Sequence, residues 1–256
     1  MRAVDGFQPD HARPFRGFSP DTARRYRLAI RALARWLRVE VEGVERVPSG
    51  RALLVANHAF GWDVAFPMEA ISHATGRDVW ALGEHLWWKV PALRRLAAAV
   101  GVVDGTRANA QELLDADQLV LVLPGGLREA VKPRELRYQL LWGHRYGFVE
   151  IAVRSGAPIV PLACVGADEL FDLVGDAYAR GKRWLGVEGI PLPRPSRWLP
   201  IPRRVSLRYV VGEPILTRDI DPGDPEALHR LRHEVEGALH ELIEGELARR
   251  SGMPYP

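Results

Sequence analysis

A single cysteine, Cys164, stands alone in 256 residues. It excludes an intramolecular disulfide framework and a cysteine-based zinc cluster, and it fits a reducing cytoplasmic setting. No run of eighteen apolar residues occurs, so no helix is expected to span a bilayer. The opening stretch MRAVDGFQPDHARPF has no apolar segment of the secretory type, so no signal peptide is expected either. The G-x-S-x-G elbow, the phosphate-binding P-loop and the G-x-G-x-x-G dinucleotide turn are all missing. His229 and His233 lie one helical turn apart, but no H-E-x-x-H accompanies them, and they read as a solvated helix face. No internal repeat or low-complexity tract appears.

Net charge is small overall but unevenly spread. The net charge is +3, yet residues 1–38 hold nine Arg and three Asp, a local balance of +6. That asymmetry argues against a domain-wide nucleic-acid surface and for a basic arm over residues 1–38, ahead of a domain over 39–256. Within the arm, DTARRYRLAIRALARWLR (Asp21–Arg38) places Tyr26, Ala29, Ile30, Leu33 and Leu37 on one helical face. Arg24, Arg27, Arg31, Arg35 and Arg38 take another face. Two readings stand open. The helix lies on an anionic membrane surface, with the apolar face inserted, or it packs on its own domain and leaves the arginines in water.

Beyond the arm, VEVEGVERVP and RALLVANH read as strands joined by a turn, and DVWALGE, QLVLVLPGG, APIVPLACVG and VSLRYVVGEP as further strands. VAFPMEAISHATG, PALRRLAAAVG, TRANAQELLDAD and GFVEIAVRSG read as helices, and Pro225 to Arg250 as a long amphipathic one. The alternation predicts a single α/β domain whose mixed, mostly parallel sheet is flanked by helices. Residues 183–204 break this rhythm with prolines, Trp184 and Trp198. They read as an interfacial loop, a lid over an apolar groove, or an extended strap.

Eight His and fourteen Asp give, by chance, roughly half of one pair at the spacing His-x4-Asp. The chain holds two, His58 with Asp63 and His73 with Asp78. His73 sits near a helix end, where a histidine favours the helix dipole. His58 instead follows an apolar strand and precedes a glycine turn into a helix, where open α/β sheets keep their ligand crevice. Asp63 reads as the N-cap of that helix, with one oxygen for the helix start and the other for the imidazole. A carboxylate-oriented neutral His is a base for a hydroxyl proton.

Four blocks in series resemble the lysophospholipid and glycerolipid acyltransferase superfamily. They are NHAFGWD, GVVDGTR, LVLPGGLREA and APIVPLACVGADELF, within about residues 39–215. The resemblance implies acyl transfer from acyl-CoA or an acyl carrier protein to a hydroxyl, without a cofactor. His58 is then the general base and Asp63 its orienting acid. Arg107, Gly125, Gly126, Arg128 and Glu129 become substrate-binding candidates, the glycines by backbone N–H groups and the arginines by charge. The alternatives are a tight turn for Pro-Gly-Gly and surface ion pairing for the arginines, Arg128 with Glu129 among them. Phosphate-acceptor branches carry P-E-G-[TS]-R in the third block, whereas this chain has Gly125 for the Glu and Leu127 for the hydroxyl residue.

The third and fourth blocks look closer to the mono- and diacylglycerol acyltransferase-like branch, which favours a neutral glyceride or other lipid alcohol as acceptor. A lysophospholipid or 1-acylglycerol-3-phosphate acceptor is the alternative, as is an esterase or thioesterase that uses water. A non-catalytic lipid-binding scaffold is a third class. The expected setting is the cytoplasm, peripherally on the cell membrane, with anionic lipids as partner. The Trp-rich segments 80–88 and 184–198 are candidate walls for an acyl groove.

Overall fold

The computed structural model describes residues 14–59, 62–186, 190–195, 203 and 205–252. Among these, β1 (Glu40–Glu42), β2 (Ala52–Ala56), β3 (Val79–Gly83), β4 (Val102–Asp104), β5 (Leu119–Val122), β6 (Ile159–Val165) and β7 (Arg208–Val211) form one sheet. Its spatial order is β1-β7-β6-β2-β5-β3-β4. Every neighbouring pair is parallel except β6 with β7. β2, β5 and β6 occupy the centre because they are apolar on both faces: ALLVA and IVPLACV are buried at every residue.

Period two then divides their side chains between two cores. Leu53, Val55, Val120, Ile159 and Ala163 point to one face, and Leu54, Ala56, Leu121, Val160 and Leu162 to the other. In chain order the helices are α1 (Pro20–Leu37), α2 (Trp62–Thr75), α3 (Pro91–Ala99), α4 (Arg107–Asp115), α5 (Gly126–Ala130), α6 (Gly147–Ser155), α7 (Ala167–Leu170), α8 (Ala177–Leu185) and α9 (Pro225–Ser251). α4, α6 and α9 cover the first face, and α1 and α2 the second. α9 starts on an Asp224 cap followed by Pro225, and it buries Leu231, Val235, Leu239 and Ile243.

Three expectations change. β1 and β2 are not partners, since β1 pairs with β7 at the sheet edge and β2 with β5 and β6. Helical structure reaches into the Pro-rich segment, because α8 runs to Leu185 and the first proline there is Pro191. The described residues 190–195 form a strap, tied by Leu192 N–H to the Ala177 carbonyl at 2.8 Å and by a bridge between Leu173 and Pro195. Trp198 lies outside the described residues.

The third change concerns α1. Ser19 caps it and Pro20 opens it. Its Ile30, Leu33 and Leu37 pack on the second core rather than facing outward. Arg27 pairs with Asp78 at 2.6 Å and Arg31 with Glu69 at 2.5 Å. The domain-packed reading of this helix holds, and Asp78 is thereby committed to Arg27, away from His73.

Candidate active site

β2 ends at Ala56, and the chain turns at its carboxyl end. Asn57, fully buried, fixes the turn by a reciprocal pair of hydrogen bonds with the Cys164 backbone on β6, at 2.9 and 2.7 Å. His58 follows, and its Nδ1 lies 2.5 Å from Asp63 Oδ2 in the first turn of α2. The same Oδ2 accepts the Ala59 N–H at 2.6 Å. The expected division of labour between the two carboxylate oxygens is therefore replaced by one oxygen serving both bonds, while Oδ1 has no partner among the described residues. Pro67, inside α2, has no N–H to return to the Asp63 carbonyl. Cys164 Sγ lies 3.9 Å from that carbonyl instead.

The backbone of His58 is held as firmly as its ring. Its N–H donates to Glu129 Oε1 at 2.7 Å, and its carbonyl accepts from Lys132 Nζ at 3.0 Å. Glu129 Oε2 takes the Leu141 N–H at 2.7 Å. Lys132 pairs with Asp168 at 3.0 Å, with both side chains almost wholly buried, and Asp168 takes the Tyr138 N–H at 2.7 Å. Burial would lower the His58 imidazole, but the Asp63 charge and hydrogen bond, with Glu129 behind them, raise it above its ordinary value against the opposition of Lys132. Burial raises the Glu129 carboxyl, with Lys132 and the two backbone N–H groups pulling the other way. Burial also pushes the Cys164 thiol well up, assisted by Asp63, which makes it a poor nucleophile.

His58 opens on a cavity of about 950 Å³ whose walls are mainly aliphatic. Leu93, Leu96 and Ala97 of α3, Val122 and Leu123 at the end of β5, and Ile190, Pro191 and Pro193 of the strap are among the residues that line it. The segments singled out for tryptophan do contribute, though through other residues. Trp80 is buried against Phe15 and Phe18, Trp88 is buried beside Ala97, and Trp184 is 72% exposed.

Of the residues expected from sequence, His58, Arg107 and Gly126 line this cavity. Arg107 also pairs with Glu150 at 2.6 Å. The Gly126 N–H is used within the turn, donating to the Leu123 carbonyl at 2.9 Å, so it is not free for an oxyanion. Gly125, Arg128 and Glu129 stand outside the lining. Arg128 is exposed, and Glu129 faces inward with both oxygens taken by backbone N–H groups, so the two do not form the surface pair considered above. Both oxygens of that carboxylate are engaged by the protein's own backbone. Gly125 has a packing reason: a Cβ there would lie 2.0 Å from Glu129 Oε2.

Sequence reasoning missed Asn57, Lys132, Asp168 and Arg145. Arg145 lines the cavity and donates from Nη1 to the Pro124 carbonyl at 2.5 Å. One signal was legible. Glu129 and Lys132 are three apart in REAVK, hence on one helical face. Their partners, in the loop after β2 and on α7, were not. His229 and His233 are exposed with Nε2 atoms 3.3 Å apart, and no group of three potential metal ligands exists among the described residues.

The chain is similar to known proteins over most of its length. An acyltransferase family model matches residues 38–165, half of the chain. An uncharacterised protein of Mycobacterium tuberculosis is 33% identical over 227 residues, covering 82% of this chain and 63% of its own length. A human protein named DGAT1/2-independent enzyme synthesizing storage lipids is 31% identical over 214 residues, covering 82% of this chain and 62% of its own. This chain thus spans about three fifths of those relatives. Among solved structures, the 1-acyl-sn-glycerophosphate acyltransferase PlsC of Thermotoga maritima superposes with a TM-score of 0.60 at 19% identity, over 88% of this chain and 80% of that one. That likeness is one of fold. With the matched region running from the end of α1 through β6 and enclosing the His58–Asp63 pair, the chain belongs to the acyltransferase family.

Proposed function

We propose that the protein transfers a fatty acyl group from a thioester, on CoA or an acyl carrier protein, to the hydroxyl of a glycerolipid or other lipid alcohol. The observation that carries this reading is a carboxylate-held imidazole opening onto an aliphatic cavity within the size range of ligand sites. Asp63 holds Nδ1–H of His58, which leaves Nε2 to take the acceptor's hydroxyl proton. The freed oxygen attacks the thioester carbonyl carbon. Collapse of the tetrahedral adduct breaks the carbon–sulfur bond, and the leaving thiolate takes the proton back from the imidazolium. The products are an ester and a free thiol, and the imidazole ends neutral. The aliphatic walls hold the acyl chain, and Arg107 and Arg145 at the rim meet anionic groups of donor or acceptor.

A neutral acceptor is favoured by the third block, which lacks the Glu and hydroxyl residue of the phosphate-acceptor pattern, and by the storage-lipid name of the human relative. Contact with an anionic membrane is proposed at α3. Val90, Leu93 and Leu96 are exposed there beside Arg94 and Arg95, at the cavity's own wall. No described helix is long and apolar enough to cross a membrane, and the reading is of a peripheral enzyme at the cytoplasmic face.

Incubation with labelled acyl-CoA and a panel of monoacylglycerol, diacylglycerol, long-chain alcohol and lysophospholipid, followed by lipid mass spectrometry, is the test. Labelled ester formed only with a lipid alcohol supports the reading. Thiol release at an equal rate without any acceptor would replace it with a thioesterase, and preference for the lysophospholipid would move the acceptor class.

A further inference from the structure

We propose that Glu129 and Lys132 are positioning residues of the acyl-transfer site, holding the two ends of the His58 peptide so that its ring is presented to the cavity in one orientation. This rests on the reading of His58 as the base. The geometry is specific. Glu129 Oε1 accepts the His58 N–H and Lys132 Nζ donates to the His58 carbonyl, at 2.7 and 3.0 Å. One grip comes from α5 and the other from just beyond its end, and both reach a loop 71 and 74 residues earlier in the chain. The ring has its own holder in Asp63, so three charged side chains fix one residue at backbone and side chain together.

Core packing alone does not call for this set. Glu129 is 0% exposed and the Lys132 side chain 2%, and buried charges are retained against apolar replacements when partners and a role are supplied. Lys132 already has a counter-ion in Asp168, and its further bond goes to the His58 carbonyl. Room for the Glu129 carboxylate is kept by Gly125, whose missing Cβ would stand 2.0 Å from Oε2. A loop fixed to this degree keeps Nε2 aimed at the acceptor oxygen, and loss of aim by even an ångström has large kinetic consequences.

The charges acting on the His58 ring are Asp63 from α2, Glu129 from α5 and Lys132 just beyond it. Glu84, Arg107, His144 and Arg145 line the same cavity and stay unchanged in every variant. Glu129 raises the imidazole and Lys132 lowers it, so opposite shifts are expected when each is removed. Glu129→Gln keeps the shape but can accept only one of the two N–H groups with its single carbonyl oxygen. It should fold, lose on the order of a hundredfold in kcat with little change in KM, and titrate His58 at lower pH. Lys132→Met combined with Asp168→Asn removes the buried pair together, leaves the Glu129 carboxylate on its two backbone N–H groups, and should titrate His58 at higher pH.

Ring titration by NMR and the acid limb of kcat/KM report the midpoints, and circular dichroism reports folding. If one variant unfolds, the other decides. Wild-type kcat with unmoved midpoints overturns the proposal. Unfolding of both variants also overturns it, since the pair would then belong to the core and not to the base. Opposite midpoint shifts together with transfer that survives His58→Ala would leave the grip on His58 standing and remove its reading as the base.

Discussion

His58 and Asp63 differ from His73 and Asp78 in surroundings, and that difference sets the expected outcomes at the residue scale. Asp63 is 0% exposed and its Oδ2 meets the imidazole, whereas Asp78 is held by Arg27 and His73 is exposed on the last turn of α2. His58→Ala should reduce transfer on the order of a thousandfold or more, because the base and its positioning go together. Asp63→Asn should be severely impaired, while His73→Ala and Asp78→Asn should stay near wild type. Since a raised imidazole must lose its proton before it can act, the acid limb of kcat/KM should lie above the ordinary histidine value of 6.5. Steady-state kinetics of the four variants over pH check this. Equal damage from the His73 and Asp63 substitutions would sink the assignment.

At the scale of elements, the proposed membrane contact exchanges the roles that the sequences of α1 and α3 invite. α1 has the arginine face and the apolar stripe of a surface-seeking helix, but Ile30, Leu33 and Leu37 are spent on the second core, and Tyr26 lines the cavity. Arg31→Gln would strand Glu69, whose side chain is 7% exposed, and should destabilise the domain by about 2 kcal/mol. α3 looks less amphipathic in isolation, yet it leaves Leu96 56% and Leu93 43% exposed. Leu93→Ser with Leu96→Ser should therefore reduce cosedimentation with anionic liposomes without lowering the melting temperature, and Arg31→Gln should do the reverse. A melting curve beside a liposome assay separates the two, and binding lost in the α1 variant alone would return the membrane to the arm.

Across the whole molecule, the last turns of α9 close the structure against distant elements. Arg250 pairs with Glu169 of α7 at 2.8 Å, and Glu246 pairs with Arg208 of β7 at 2.8 Å. Burial alone would raise both carboxyls, but the Arg250 and Tyr138 hydrogen bonds hold Glu169 below its ordinary value, and Arg249 and Arg208 do the same for Glu246. Lowered carboxyls contribute stability that is present above the ordinary value of 4.5 and is lost as pH falls through their folded values. Thermal unfolding followed from pH 7 downward should show that loss. Arg250→Gln should lower stability at neutral pH by about 1 kcal/mol and make the acid decline shallower. An unchanged decline in that variant would place the acid sensitivity elsewhere.

Local pattern alone determined the α/β layering and most helix and strand positions, and together with the four resembling blocks it singled out His58 over His73. Each of these depends on neighbours within one turn or one strand: the apolar runs of β2, β5 and β6, the caps of α1 and α9, and a histidine directly after a buried strand. What lies across the fold was decided only by tertiary structure. The partner of β1 is β7, 168 residues away, and α1 turns its apolar face inward because a second core is there to receive it. Glu129, read beside Arg128 as a ligand contact, instead holds the backbone of the His58 loop. Its neighbour in sequence points to water, while the N–H groups of His58 and Leu141, 71 and 12 residues away in the chain, are brought to it by the fold. A carboxylate's role follows from which donors surround it, and for a buried one those donors come from distant parts of the chain.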